Sequence, residues 1–334
     1  MKTRLIHRIA AGLALATAII APAQASDQTF EAAFDTALGT DLRAPHDYSP
    51  KLRSALESRI AQIANGDQGR IGVAAIDLST GRELSVLGDQ RFPMASTSKI
   101  AIAATYLDGV DKGKLSLSSE YPLMVPVSSK PFSSKIAPVK KGQYLSAREL
   151  ITLMLTRSSN SATDAILAAL GGPSVVDEWV HRQTKITNFT LTRDIATLVR
   201  DDGEIDPVSH IDTRDSASPK AMVRLLKGLY QGDWLSEQSR SFLISTMEKC
   251  RTGTRRIRAQ MPSTVTVAHK TGSLHNTSSD IGIVTTPDGR SFAVAIYVTG
   301  QGTRANREAK IATIARAIYD GYSDSKTHWV DAKY

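Results

Sequence analysis

The spacing of apolar residues divides the chain into strand-rich ends and a helical middle. Short apolar and β-branched runs predict strands over 71–78, 83–87, 264–270, 281–285 and 292–298. Apolar residues spaced three and four apart predict helices over 49–64, 96–107, 146–157, 161–170, 175–182, 219–230, 236–250 and 304–322. The pattern therefore indicates a protein with both element types, segregated along the chain.

This order of elements favours an α/β (α+β) fold with two lobes. One antiparallel sheet is built from both chain ends and flanked by the terminal helices, and an all-helical lobe is inserted between its halves. We place the α/β lobe at about 35–90 and 251–325 and the helical lobe at about 91–250, within one catalytic domain over 26–334. A substrate site is expected where the lobes meet.

Two stretches in the middle of the chain have no clear period. Residues 115–145 are rich in Ser, Pro and Lys, and residues 187–217 are polar and acidic. We predict both as long surface loops, which are more often functional than structural.

The first 25 residues are typical of a secretory signal peptide. Lys2, Arg4 and Arg8 precede an apolar run over 9–21, which is too short to span a bilayer, and Ala23-Gln24-Ala25 is a small-x-small cleavage site. We expect cleavage after Ala25, a periplasmic or secreted protein, and no stable membrane anchor.

Composition and charge indicate an ordinary soluble protein and exclude nucleic-acid binding as the expected function. The chain of 334 residues is 41% hydrophobic and 22% charged, as in ordinary soluble proteins. Without Lys2, Arg4 and Arg8 the net charge falls from +8 to +5, and the densest basic stretch, 251–258, has no interleaved aromatic residues, so nucleic acid is not an expected partner. We expect a monomer.

Cysteine and histidine usage predict neither a disulfide nor a metal site. The single cysteine, Cys250, has no partner within the chain and is interpreted as a small buried side chain. The seven histidines show no paired ligand spacing, so no metal or other cofactor is expected. His269 is interpreted as a strand residue that faces a neighbour.

Ser96 and Lys99 are the first candidates for chemistry. They lie at positions i and i+3 near the start of a predicted helix, so both side chains share one face. Unpaired N–H groups and the helix dipole favour negative charge there. A desolvated lysine at such a position can lose its proton and act as a base toward the serine. A solvated lysine one turn after a serine gives the same pattern, so the rest of the chain must decide.

Two further motifs follow in order. Ser158-Ser159-Asn160 lies in a short break between two helices, and Lys270-Thr271-Gly272-Ser273 ends a predicted strand. With Ser96-Thr97-Ser98-Lys99, this ordered triple resembles the S-x-x-K, S-D-N and K-T-G set of the serine β-lactamase and penicillin-binding-protein superfamily. Further segments resemble class A β-lactamases, and the similarity spans roughly residues 35–323; these segments are 212–222, 252–262, 268–272 and 280–289.

The resemblance implies an acylating enzyme. Ser96 would attack the carbonyl carbon of a β-lactam or peptide, with Lys99 as its base. Ser158 would pass a proton to the leaving nitrogen, helped by the positive charge of Lys270. Asn160 would bind the amide of the substrate side chain.

The same resemblance implies the substrate-binding groups. The backbone N–H groups of Ser96 and Ser273 would form an oxyanion hole. Thr271, Gly272, Ser273 and Arg256 would line the position of the substrate carboxylate, for which a guanidinium fork is well suited.

One part of the class A pattern is missing. Class A enzymes carry a loop glutamate followed four residues later by an asparagine, and the matching stretch 193–206 has no such pair. Glu204 is its only glutamate and is therefore the candidate for the base of deacylation, with Asp202 and Asp206 as other acids. Asp164 replaces a family asparagine in the helix after Ser158.

Three functions remain open at this point. The leading prediction is a serine β-lactamase that opens β-lactam rings through an acyl-enzyme on Ser96. The second is a D-Ala-D-Ala peptidase, or another amide or ester hydrolase, that acts on peptidoglycan peptides. The third is a penicillin-binding or sensor protein that acylates and then deacylates slowly, which the missing glutamate would favour.

Overall fold

A computed structural model describes residues 40–43 (backbone only), 52, 54–65 and 68–323; the predicted signal peptide lies outside these ranges. The helices of this part are α1 (Ala55–Ala64), α2 (Lys99–Asp111), α3 (Ala147–Thr156), α4 (Asn160–Leu170), α5 (Pro173–Trp179), α6 (Ile195–Arg200), α7 (Pro219–Gln231), α8 (Glu237–Glu248) and α9 (Arg304–Ser323). The strands are β1 (Thr40–Arg43), β2 (Ile71–Asp77), β3 (Glu83–Val86), β4 (Phe92–Pro93), β5 (Glu120–Pro126), β6 (Val139–Ser146), β7 (Phe189–Leu191), β8 (His210–Asp212), β9 (Asp215–Ala217), β10 (Thr266–Leu274), β11 (Thr277–Thr285) and β12 (Ser291–Thr299).

The central sheet is antiparallel and is built from both ends of the chain, which confirms the predicted fold class. Its strand order is β10-β11-β12-β2-β3, with β12 from the C-terminal part paired to β2 from the N-terminal part. β10 is an edge strand of this sheet, paired only with β11 among the described residues. A site on β10 therefore lies next to an open sheet edge.

Side chains point alternately to the two faces of the sheet, and each face packs against its own apolar core. Along β2, Ala74 and Ile76 join the apolar cluster shared with the helical lobe, whereas Val73 and Ala75 join the cluster under α1 and α9. Side chains alternate between the faces of a strand, so a strand buried on both faces has a continuous apolar sequence.

The helical lobe is organised around α2. Residues Lys99 through Asp108 are all buried, as expected of a helix that is surrounded by other elements. The turn before α2 is attached to the sheet by a buried hydrogen bond of 3.0 Å between Thr97 Oγ1 and Tyr297 Oη. α3, predicted from its apolar spacing, begins with a capping box between Ser146 and Glu149. No helix in the described ranges is long and apolar enough to cross a membrane.

The two stretches predicted as loops contain regular structure, and those predictions were wrong in detail. Residues 115–145 include most of the β5–β6 hairpin, whose side chains are largely exposed or half-buried, so no apolar period marks it. Residues 187–217 contain α6 and three short strands, of which β7 and β9 pair with each other and β9 pairs with β4. Strands of three residues are too short to show a period.

Candidate active site

Ser96 lies in a tight turn at the opening of the helical lobe. Ala95–Ser98 form a 3-10 helix that α2 continues from Lys99. Ala95 has a φ of 49°, a left-handed conformation that costs a non-glycine residue energy and is concentrated at functional sites. Ser96 is half-buried while its neighbours on both sides are buried, so it is the residue of this turn that reaches the surface.

Lys99 is fully buried and points at the break between α3 and α4. Its Nζ lies 2.8 Å from Ser158 O, 2.8 Å from Asn160 Oδ1 and 3.3 Å from Ser158 Oγ. Burial, reinforced by the positive charge of Lys270, lowers the pKa of Lys99 well below its usual range, and the negative charge of Asp164 opposes this. A neutral amine has two N–H bonds, which match the two short contacts, and a lone pair that is available to a hydroxyl.

Ser158 lies between two lysines. Lys270 Nζ donates to Ser158 Oγ over 2.9 Å and to Thr271 O over 2.8 Å. Ser158 has a φ of 58°, a second strained residue at this site. Desolvation lowers the pKa of Lys270 to about 8, and the charges of Cys250 and Asp280 limit the fall. Lys270 therefore keeps its positive charge at neutral pH, and Ser158 Oγ links it to Lys99.

Gly272 brings β10 against the turn that carries Ser96. A Cβ at Gly272 would lie 2.8 Å from Met94 O and 3.1 Å from the Cβ of Ala95, so only glycine permits this approach. Ser273 follows on the edge strand and is exposed. The backbone of β10 after Gly272 therefore lies beside the nucleophile turn.

Arg256 is held at the β10–β11 pair with every donor engaged. It is 1% exposed. Nη1 donates to Gly272 O and Ser279 O, each over 2.7 Å. Nη2 donates to Ser273 Oγ over 2.7 Å and to Glu308 over 3.1 Å, and Nε donates to Glu308 over 3.3 Å. This placement differs from the expectation that Arg256 itself contacts a carboxylate, since the guanidinium reaches the exposed side chain of Ser273 instead.

The segment from Arg193 to Asp215 forms a closed loop next to the site. An ion pair between Arg193 and Asp215 joins the two ends of this loop. Asp215 Oδ1 also accepts a hydrogen bond from the backbone N of Thr192 over 2.8 Å. Asp164 fixes the start of α6, because its two oxygens accept from Ile195 N over 2.7 Å and from Ala196 N over 2.9 Å. Burial raises the pKa of Asp164 to about 7, against the effect of these amides and of Lys99.

Three acids of this loop are engaged by groups other than Lys99. Asp201 pairs with Arg200, Asp202 accepts from His275 N, and Asp206 accepts from Asn276 Nδ2. Glu204 is exposed in the same turn, and the described residues give its carboxylate no hydrogen bond or ion pair. The structure thus brings together the three sequence motifs and does not bring Glu204 to them.

Two partners of the site were given no role from the sequence: Asp164 was noted only as a replaced asparagine, and Glu308 was not identified. Asp164 is four residues after Asn160 on α4, so both share the helix face toward Lys99, and this spacing was a usable signal. Glu308 pairs with Arg256 from α9, 52 residues away, and nothing local in the sequence marks it. Within the described ranges, no group of three His, Cys, Asp or Glu side chains is arranged to hold a metal ion.

A family model described as a β-lactamase enzyme family matches residues 55–322. The chain belongs to that family. It is a class A-like serine β-lactamase, because its relatives and structural neighbours are of this class. One relative is the β-lactamase CTX-M-25 of Escherichia coli, which is 30% identical over 274 residues, 80% of this chain and 89% of that protein. A β-lactamase of Bacteroides uniformis is 29% identical over 280 residues, 80% of this chain and 91% of that protein.

Solved structures of β-lactamases have the same fold as this chain. A β-lactamase from Chitinophaga pinensis matches with a TM-score of 0.71 and 30% identity, over 80% of this chain and 99% of that one. An ancestral class A β-lactamase matches with a TM-score of 0.69 and 32% identity, over 80% of this chain and 99% of that one. At these identities the enzyme has the class A fold and has diverged widely in sequence.

Proposed function

We propose that this enzyme hydrolyses β-lactams through an acyl-enzyme on Ser96. The observation that carries the proposal is the pair of buried lysines that flank Ser158, one of them on the helix that continues the Ser96 turn. Two buried amines this close disfavour each other's charge, which supplies a base and a cation at neutral pH.

The acylation step follows from this arrangement. Lys99 takes the proton of Ser96 Oγ, and Oγ bonds to the lactam carbonyl carbon. As the C–N bond breaks, the lactam nitrogen takes the proton of Ser158 Oγ, and Lys99 returns its proton to Ser158. The backbone N–H groups of Ser96 and Ser273 stabilise the oxyanion, an interaction worth about 3 kcal/mol per donor.

Substrate binding is assigned to the open edge of β10 and to Asn160. The hydroxyls of Thr271 and Ser273 donate to the substrate carboxylate next to Gly272, and Asn160 contacts the side-chain amide. Arg256 acts through Ser273, because its N–H occupies the Ser273 oxygen and leaves the Ser273 proton for the substrate. The positive charge of Lys270 adds to the attraction.

Deacylation is assigned to Lys99 instead of Glu204. After the first step Lys99 is neutral again, and it can take a proton from the water that attacks the ester carbonyl, while Ser96 Oγ leaves and is reprotonated. The exposed position of Glu204 supports this assignment. The reaction needs no metal or other cofactor.

A chromogenic cephalosporin tests the proposal. The wild-type protein should give sustained colour with many turnovers per molecule, and Ser96→Ala should give none. Wild-type protein that gives only one equivalent of colour acylates without turnover, which would contradict the hydrolase. Equal colour from Ser96→Ala would exclude Ser96 as the nucleophile.

We further propose that residues 1–25 direct export and that the mature enzyme acts as a monomer in the periplasm. The basic start and short apolar run of this segment support export. The intact mass of protein recovered from the periplasm should match a chain that begins at Ser26, and light scattering should give the mass of one chain. A full-length mass or a dimer would contradict the respective statement.

A further inference from the structure

A buried polar chain begins behind β10, on the side away from the lysines. His269 and Asp280 are both 0% exposed, and His269 Nδ1 lies 2.9 Å from Asp280 Oδ1. The other ring nitrogen, Nε2, is buried and makes no hydrogen bond of ordinary length among the described residues. The Cys250 thiol is a neighbour that acts on this ring, both by hydrogen bonding and by charge, and Cys250 itself is 2% exposed.

The chain continues from Cys250 into the substrate site. Cys250 Sγ lies 3.3 Å from Thr252 Oγ1, and Thr252 Oγ1 lies 2.6 Å from Thr271 Oγ1. Gly253, with a φ of 74°, packs directly against the methyl group of Thr271, so the rotamer of Thr271 is fixed. Thr271 is the residue to which the proposed function assigns a hydrogen bond with the substrate carboxylate.

The direction of the hydrogen bonds in this chain depends on the sulfur. A thiolate can only accept, so Thr252 donates to it and Thr271 must donate to Thr252, which uses the single proton of Thr271. A thiol can donate to Thr252 O, 3.7 Å away. Thr252 is then able to donate to Thr271, and the Thr271 proton is available to a carboxylate.

We propose that Cys250 is a positioning residue: the charge on its sulfur decides whether Thr271 donates its single proton to the substrate carboxylate or to Thr252. The proposal rests on the proposed function, because it needs Thr271 at the carboxylate site. Ser273 differs from Thr271 in this respect, since the N–H of Arg256 keeps its proton available at every pH.

The charge on the Cys250 sulfur changes near neutral pH. Burial raises the pKa of Cys250, but hydrogen bonding with His269, the charge of His269 and hydrogen bonds from Thr252 together lower it to about 7. The charge of Asp280 raises the pKa of His269 to about 10 despite its burial, so the ring stays protonated while the thiol titrates. The other charges that act here are Lys270, whose pKa is about 8, and Arg258, which donates to Cys250 O over 3.2 Å. Affinity for a carboxylate should therefore fall as pH rises through about 7.

The test compares benzylpenicillin with its methyl ester, which lacks the carboxylate. The half-saturating concentration for acylation of Ser96 is measured by quenched intact mass between pH 6 and pH 8. For wild-type protein and benzylpenicillin, the half-saturating concentration should rise about tenfold from pH 6 to pH 8, which is the effect of losing one hydrogen bond to a charged group. It should stay constant for the ester.

Two variants remove the switch in different ways. Cys250→Ser replaces the thiol with a hydroxyl that does not ionise in this pH range. Thr252→Val removes the hydroxyl that links Cys250 to Thr271. Both variants should still be acylated, and both should lose the tenfold rise in the half-saturating concentration. The second variant keeps the test decisive if the first fails to fold. An unchanged rise in the half-saturating concentration of a folded variant, or an equal rise with the ester, would overturn this inference and leave the proposed function standing. Absence of any adduct in the wild type would overturn the proposed function together with it.

Discussion

Arg256→Lys offers a direct test of how the substrate edge of β10 is held. Arginine supplies five N–H donors here, and two of them bind Gly272 O and Ser279 O, which face each other across β10 and β11. A lysine carries one nitrogen at the end of its chain, so it cannot serve these carbonyls together with Ser273 and Glu308.

The expected loss follows from the hydrogen bonds that these two buried carbonyls lose. Two buried carbonyls, at about 1–3 kcal/mol each, give a loss of about 2–6 kcal/mol in the free energy of unfolding. Urea unfolding followed by circular dichroism measures this directly. The half-saturating concentration of a carboxylate-bearing β-lactam should also rise, because Ser273 loses the contact that fixes its hydroxyl.

Arg255→Lys is the matched control, since Arg255 is the exposed neighbour of Arg256. It should change the free energy of unfolding by no more than about 0.5 kcal/mol. If Arg256→Lys behaves like this control, the hydrogen bonds of Arg256 do not hold the strand edge and the reasoning is refuted.

Three other substitutions test separate parts of the account. Gly272→Ala should slow acylation about a hundredfold in a stopped-flow assay, because its Cβ would push β10 away from Met94 O; a normal rate would contradict the close approach. Glu204→Gln should leave steady-state turnover unchanged, and a large loss would restore Glu204 as a base. Asp164, with its pKa raised from 3.8 to about 7, holds a proton in the native state that the unfolded chain releases, so stability falls as pH rises through this window. Asp164→Asn should remove that slope from urea midpoints measured at pH 5 and pH 8, and an identical slope would exclude the effect.

Much of the fold could be predicted because its elements are strongly patterned. The strands that form the sheet are buried on both faces, so their apolar runs stand out, and the capping box at Ser146 marks a helix start that the structure reproduces. The three motifs could be joined because the two-lobed fold brings a helix start, a helix break and an edge strand to one place.

The parts that sequence could not supply depend on contacts between distant residues. The side chains of the β5–β6 hairpin are exposed or half-buried, so its stability comes from packing on α4 and not from its own pattern. The burial of Arg256 depends on Glu308 from the last helix, and the link from Cys250 to Thr271 depends on how the chain returns after α8. Local spacing carries no information on either contact.

The central claim is that Ser96 carries the acyl group and that water then hydrolyses this ester. Intact mass followed over time, with peptide mapping, tests this most directly on wild-type protein mixed with a slight excess of a cephalosporin. We expect one adduct, mapped to Ser96, that forms and then disappears as hydrolysed product accumulates, and an adduct-free Ser96→Ala protein. An adduct on any other residue, or one on Ser96 that never decays, would contradict this claim.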